Sequence, residues 1–242
     1  KYVPSGNSVL LINDCGPEWE ELEHNILSAI AGCPNFTYAK NEENLGFVKT
    51  CNHSLELADP ATDILLLNSD TAVTEGFLTE MQEVLYADER HGAVCPRSNN
   101  ATLLTMPPRK NTIAELTPEV SHSIYETVKD MLPRWTILPT GVGFALLIKR
   151  DVLNRFGLFD EIYSPGYNEE NDFCARINQY GFSIVMANHA YVYHYESKSF
   201  GSRRAKLDAE HFAILNKRYP YYSNLISTYF HGGMEPVTTL PT

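Results

Sequence analysis

The chain has 242 residues, 43% hydrophobic and 20% charged, which is globular composition with enough apolar material for one sizeable core. Acidic residues outnumber basic ones by 30 to 19, for a formal charge of −11; this argues against nonspecific nucleic-acid binding, but not against phosphorylated ligands bridged by a metal ion. No run approaches the roughly 18 apolar residues of a membrane span, there is no charged-then-apolar leader, and the five scattered Cys, without a C-x-x-C pair, argue against a disulfide framework or a zinc-thiolate site.

The first predicted strand is "SVLLIND" (8–14), which ends on Asn13 and Asp14. "PEWEELEHNILSAIAG" (17–32) predicts a helix with Trp19, Leu22, Ile26 and Ile30 on one face, opened by Pro17 and closed by Gly32 and Pro34. "FTYA" (36–39) predicts a strand, and "NLGFVKTCNHSLELA" (44–58) a turn running into a helix. "DILLLNSD" (63–70) is a strand. Phe77, Leu78, Met81, Val84 and Leu85 mark the helix after it, and "GAVCP" (92–96) is another strand. Strands alternating with helices predict an α/β, mostly parallel central sheet flanked by helices. Ligands bind such sheets beyond the carboxyl ends of the strands, where Asp14 and Asp70 fall. A turn or helix cap explains Asp70 equally well from this stretch alone.

From residue 97 to 134 the alternation stops. "RSNNATLLTMPPRKN" (97–111) reads as a loop, and 112–132 as helical in part. "RWTILPTGVGFALLIKR" (134–150) is strand-like, with Gly141 and Gly143 allowing a bend or a close approach to a ligand. "DVLNRFG" (151–157) predicts a short helix. In "FDEIYSPGYNEENDFCARINQYGF" (159–182) the second half is a helix, with Phe173, Ile177 and Tyr180 toward the core. "SIVMA" and "AYVYHY" (190–195) read as strands and "LDAEHFAILNKRY" (207–219) as a last amphipathic helix. The tail, 231–242, is expected to be loose. Glu169, Glu170 and Asp172 crowd three carboxylates at a helix start. A favourable helix N-terminus accounts for one or two of them, Asp172 first.

Taken in order, "LLINDCGPE" (10–18), "NEENLGFVKTCNHSLELA" (41–58), "LLLNSDTAVTEGFL" (65–78), "GVGFALLIKRDVLNRFGLFDE" (141–161), "NEENDFCARINQYGF" (168–182) and "AYVYHYESKSFG" (190–201) resemble family-2 glycosyltransferases of the GT-A (Rossmann-like) fold, especially the rhamnosyltransferase-like and galactofuranosyltransferase-like branch. The resemblance spans about residues 9 to 201. It implies one domain over 1–230, with a nucleotide-sugar half to about 96 and an acceptor half after it. Two departures stand out. The family's opening strand, of the type V-S-I-I-I-P-T-Y-N, is not seen, so it is expected either upstream of Lys1 in a longer multidomain chain or to be lost by rearrangement. The family's Asp-x-Asp is here Asn68-Ser69-Asp70, with an amide for the first acid.

The resemblance implies a metal-dependent inverting transferase moving a sugar from a UDP- or dTDP-linked donor to a glycan or lipid-linked acceptor. Asp70 and His194 would share a divalent cation; a hard cation prefers oxygen, and one imidazole suits Mn²⁺ better than Mg²⁺. Asp14 would hold the nucleobase, or simply cap a helix. Asn44, Asn52 and Asn68 would line the donor cleft, although Asn44 also fits a turn and Asn52 a helix surface. Glu170 matches the general base, with Glu169 holding an acceptor hydroxyl; the reversed roles are the second choice. Thr140, Gly141 and Gly143 match the acceptor-side strand. Lys198, Ser199, Arg203 and Arg204 lie in a segment able to close over a diphosphate. The expected location is the cytoplasm, including the inner face of the membrane. A nucleotidyltransferase would need a Gly-rich phosphate loop in the first turn, which is not visible. A degenerate domain that binds a glycan or partner protein is the remaining alternative.

Overall fold

A computed structural model describes residues 2–4, 6–106, 116–195 and 202–231, with the side chains of 202–204 outside the description. The tail 232–242, and the Lys198, Ser199, Arg203 and Arg204 side chains proposed to meet a diphosphate, therefore lie outside the described residues. The predicted alternation holds over the first part: β1 (Val9–Asn13), α1 (Trp19–Ile30), β2 (Phe36–Lys40), α2 (Phe47–Leu57), β3 (Ile64–Leu67), β4 (Thr71–Val73), α3 (Phe77–Leu85) and β5 (His91–Arg97). Then follow α4 (Pro118–Val128), β6 (Trp135–Leu138), β7 (Ala145–Ile148), α5 (Arg150–Phe156), α6 (Glu169–Asn178), β8 (Ser183–His194), α7 (Ser202–Arg218) and α8 (Tyr222–His231).

The architecture is α/β, a central sheet flanked by helices, but the strands are mixed rather than mostly parallel. β1 pairs parallel with β2, from Val9 opposite Phe36 to Asn13 opposite Lys40. The larger sheet runs β3-β7-β5-β8-β4, with β6 also on β8. Within it only β5 and β8 are parallel. A parallel pair needs a long crossover, and no helix stands between β3 and β4 or between β6 and β7. β7 slots antiparallel between β3 and β5. Among the described residues β1 has no neighbour but β2, and β3 none but β7, so each keeps an open edge.

"SIVMA" and "AYVYH" form one strand, not two. Asn188 sits fully buried between them and its polar atoms are all engaged. Its amide donates to Pro133 O and Thr136 Oγ1, and its Oδ1 accepts from Arg97 Nε at 2.8 Å. β8 thus continues as one strand beside β5, although their register shifts where Pro96 faces Ala187 and Arg97 faces Tyr191, with β6 and then β4 on its other edge. The core lies over this sheet. α3 buries Phe77, Leu78, Met81, Val84 and Leu85, as its 3.6-residue pattern predicts. α1 buries none of its residues, and Leu22 is 48% exposed. Phe173 and Ile177 are buried, but Tyr180 is 60% exposed, its ring against Phe156 and under the Arg155 guanidinium. It lies two residues past the end of α6, in the turn that leads to Gly181.

Candidate active site

Three strand or helix ends meet above the sheet: the turn after β3, the end of β8, and the start of α6. β4 pairs Thr71 with His194, which brings the Asn68-Ser69-Asp70 turn to the tip of β8. Tyr195 N donates to Asp70 O at 2.9 Å and fixes the register. His194 Nε2 then stands 3.5 Å from Asp70 Oδ1. His194 Nδ1 lies 2.9 Å from the carbonyl of Asn100. A carbonyl only accepts, so Nδ1 carries a hydrogen and Nε2 is the atom that faces the acid. Asn99 clamps the same backbone, accepting from His194 N at 2.7 Å and donating to His194 O at 3.0 Å. The Phe144 ring stacks on the imidazole, 5.0 Å between centroids.

This donor set fits a divalent cation. One carboxylate oxygen and one oriented imidazole nitrogen converge, and a backbone carbonyl holds the other ring nitrogen, as metal-binding histidines require. Two ligands of one small cation, each about 2.1 Å from it, can stand at such a spacing. Among the described residues no third His, Cys, Asp or Glu joins them. Asn68 donates its backbone N–H to Phe144 O at 2.8 Å, and its own carbonyl accepts from Thr71 Oγ1.

The acid cluster divides by role. Asp172 is structural: it is buried, accepts from Tyr163 Oη and Arg218 at 3.1 and 2.9 Å, and lies 3.5 Å from Arg176. Its partners come from three elements, which goes beyond the helix-start role predicted for it. Glu169 is buried, with Oε2 lacking a hydrogen-bond partner, and Glu170 is half-buried. Burial first, and then the charge of Glu170, raise Glu169 to about 9. Burial, with a smaller push from Asp208, raises Glu170 to about 7. Glu170 lies against Gly143, where an added Cβ would sit 3.9 Å from its side chain. Its charge also acts on Cys95, Cys174 and Tyr222. The charge of Glu169 acts instead on Cys51 of α2, as does that of Asp14. The two glutamates thus act on different neighbours, Glu169 on α2 and Glu170 on β5, α6 and α8.

Other predicted site residues have different work. Asp14 accepts from Asn41 Nδ2, Thr50 Oγ1 and the backbone N–H groups of Leu45 and Gly46, at 2.7 to 2.9 Å. It organises the loop entering α2. Asn44, in that loop, is exposed. Asn52 has both ends of its amide on the backbone of Phe159, at 2.9 and 3.0 Å, so it braces the fold instead of lining the cleft. Thr140 is buried and donates to Asn171 Oδ1 at 2.8 Å. A Cβ on Gly141 would meet Leu146, Cys95 and Cys174 at 3.0 to 3.4 Å, so this glycine answers to interior packing and not to a sugar. Gly46 does serve a close approach: its φ is +78°, and a Cβ there would come 2.7 Å from that of Pro165. The loop entering α2 and the turn before α6 touch at this point.

Sequence reasoning missed Asn99, Asn100 and Phe144, which set His194, and Asn171, Tyr222, Asp208 and His211, which surround the acid pair. "SNN" directly after β5 was a signal, since polar residues at a strand's carboxyl end fall where ligands bind.

No protein-family model and no curated protein matches the sequence. Solved structures do match the fold. A mannosyltransferase, PcManGT, from Pyrobaculum calidifontis, in complex with GDP-Man and Mn²⁺, aligns with TM-score 0.61 at 14% identity, covering 93% of this chain and 60% of that one. GalNAc-T7 with UDP, GalNAc and Mn²⁺ aligns with TM-score 0.66 at 15% identity, covering 100% and 47%. TarS 1-349 of S. aureus aligns with TM-score 0.51 at 17% identity, covering 90% and 65%. The chain therefore spans less than two thirds of each of these proteins, and it has the GT-A fold of glycosyltransferases.

Proposed function

We propose that the chain is a glycosyltransferase that moves a sugar from a nucleotide-diphosphate donor to a hydroxyl acceptor. The observation that carries this reading is the Asp70–His194 pair, with the imidazole turned by Asn100 so that Nε2 faces the carboxylate. Fold neighbours that bind GDP-Man, or UDP and GalNAc, with Mn²⁺ support it. Asp70 and His194 would hold Mn²⁺ or Mg²⁺, and a cation bound there neutralises charge on the departing diphosphate. The half up to about residue 96 would receive the donor and the remainder the acceptor. The family-2, rhamnosyl-like or galactofuranosyl-like, inverting assignment belongs to this proposal, as do a UDP- or dTDP-linked donor, a glycan or lipid-linked acceptor and the cytoplasmic location.

Glu170 is the base in this reading. Its carboxylate takes the proton of the acceptor hydroxyl as that oxygen bonds to the anomeric carbon, while the bond to the diphosphate breaks and its electron pair leaves with the phosphate. A carboxyl raised to about 7 suits a base working near neutrality. Glu169, raised to about 9, keeps its proton and can donate a hydrogen bond to a sugar hydroxyl through a group left unpaired in the fold. Asp14 and Asn68 shape the donor side.

A thermal-shift panel of nucleotide sugars with Mn²⁺, on the wild type and Asp70→Ala, tests this. A donor should raise the melting temperature of the wild type only, because a ligand of the native state stabilises it. Equal shifts in both proteins, or none with any donor, would sink the reading.

A further inference from the structure

The turn that delivers Glu169 and Glu170 is strained. Tyr167 and Asn168, neither of them glycine, have φ of +76° and +68°, a region that side chains disfavour and that persists only where surroundings enforce it. The enforcing groups come from α7. His211 Nδ1 lies 2.9 Å from Gly166 O and 3.0 Å from Tyr167 O; both are carbonyls, so the ring donates to them. Asp208 Oδ1 accepts from Asn168 Nδ2 at 2.8 Å. Asp208 and His211 are three residues apart and share one face of the helix. His211 is buried edge-on against Tyr163, with 5.6 Å between rings.

α7 does not need these contacts to dock. Its later half is already anchored by Leu215 and Tyr219, packed with Ala175 and Tyr222, and by Arg218, paired with Asp160 and Asp172. The turn itself is reached by Asp208 and His211.

We propose that Asp208 and His211 are positioning residues for the acid pair: α7 grips the turn, sets where Glu169 and Glu170 point, and keeps a negative charge behind Glu170. This rests on the transferase reading for its catalytic consequence. The ionisable groups around Glu170 are Glu169 and Cys174 from α6, Asp208 from α7, Tyr222 from α8 and Cys95 from β5. Of these, Asp208 is exposed and replaceable without disturbing the interior.

The test pairs two readouts. Carboxyl ¹³C NMR titration of Glu-labelled protein, assigned with Glu169→Gln and Glu170→Gln, follows the acids without any turnover. Asp208→Asn keeps the hydrogen-bond acceptor and removes the charge, so the Glu170 midpoint should fall by about 0.3 to 0.5 pH unit, the scale of one screened charge several ångströms away. Steady-state kinetics supplies the second readout. His211→Leu should lower kcat about tenfold with donor KM unchanged, and His211→Asn, whose amide can replace the Nδ1 donor, should recover most of it. An unmoved midpoint in Asp208→Asn would overturn the proposal. So would wild-type turnover in His211→Leu, or a His211→Asn variant as slow as His211→Leu. If the midpoint moves as expected but the wild type transfers no sugar from any donor, the positioning stands and the transferase reading falls.

Discussion

Phe144 stacks on His194 with 5.0 Å between ring centroids, while its neighbour Gly143 lies against Glu170. One dipeptide thus touches the candidate metal ligand on one side and the candidate base on the other. Its carbonyl is also the acceptor for Asn68 N. The loop between β6 and β7 is the wall that the two chemical centres share.

The Asn99 clamp on His194 gives a first prediction. Asn99→Ala removes both backbone hydrogen bonds and frees the strand tip. Losing such outer support typically costs about 10- to 100-fold in metal affinity. Mn²⁺ titration followed by electron paramagnetic resonance, with nucleotide present, should show that loss while the fold is retained. Unchanged affinity would mean that His194 is not a ligand.

Glu170→Gln should bind donor as the wild type does and lose about 10²- to 10⁴-fold in turnover. Glu169→Gln should lose less. Calorimetry with nucleotide and an initial-rate assay measure the two properties separately. A dead Glu169→Gln beside an active Glu170→Gln would reverse the roles.

Stability should fall with rising pH through the acid pair. Glu169 holds its proton to about 9 in the folded chain, against an ordinary value of 4.5. Between those values the folded state binds a proton that the unfolded state has released, so stability present below about 4.5 is lost as pH rises through about 9. Glu169→Gln should therefore gain on the wild type in urea unfolding at pH 9 and show no such gain at pH 4. Parallel stability curves for the two proteins would remove this account.

Arg218→Ala should destabilise by about 1 to 3 kcal/mol, measured by urea unfolding, since it strips a charged donor from buried Asp172 and leaves Arg176 and Tyr163 as partners. A loss of activity without loss of stability would give Asp172 a catalytic task that its contacts do not suggest.

Gly46→Ala should destabilise by about 1 to 3 kcal/mol. It places a methyl 2.7 Å from Pro165 Cβ at a backbone φ of +78°. A neutral result in thermal unfolding would show that the two loops can move apart.

Local patterns carried much of this structure. The apolar spacing of Phe77, Leu78, Met81, Val84 and Leu85 is sufficient to place α3 and its buried face. Asp70 at a strand's carboxyl end was legible as a site candidate, because strand ends are where sheets receive ligands. What joins Asp70 to His194 is the antiparallel pairing of β4 with β8, and nothing local encodes a contact between such distant segments. The same holds for Asp172 with Arg218 and for Asn52 with Phe159: the first read as a helix-start acid and the second as a cleft or helix-surface amide until the fold supplied a distant partner. The mixed sheet was misread for a related reason. An apolar run such as "ALLI" specifies a buried strand and says nothing of its direction.

The open edges of β1 and β3 bear on how the molecule behaves in company. Each presents a row of amide and carbonyl groups that a further extended segment could join. Leu10, Leu11 and Ile12 stand only half-buried beside one of those rows, and α1 adds an apolar stripe without a buried residue. The acidic net charge of −11 opposes contact between copies, and salt screens that repulsion. Among the described residues those rows stay uncovered, so a strand of a second copy is one segment that could join them, and added salt should favour that contact.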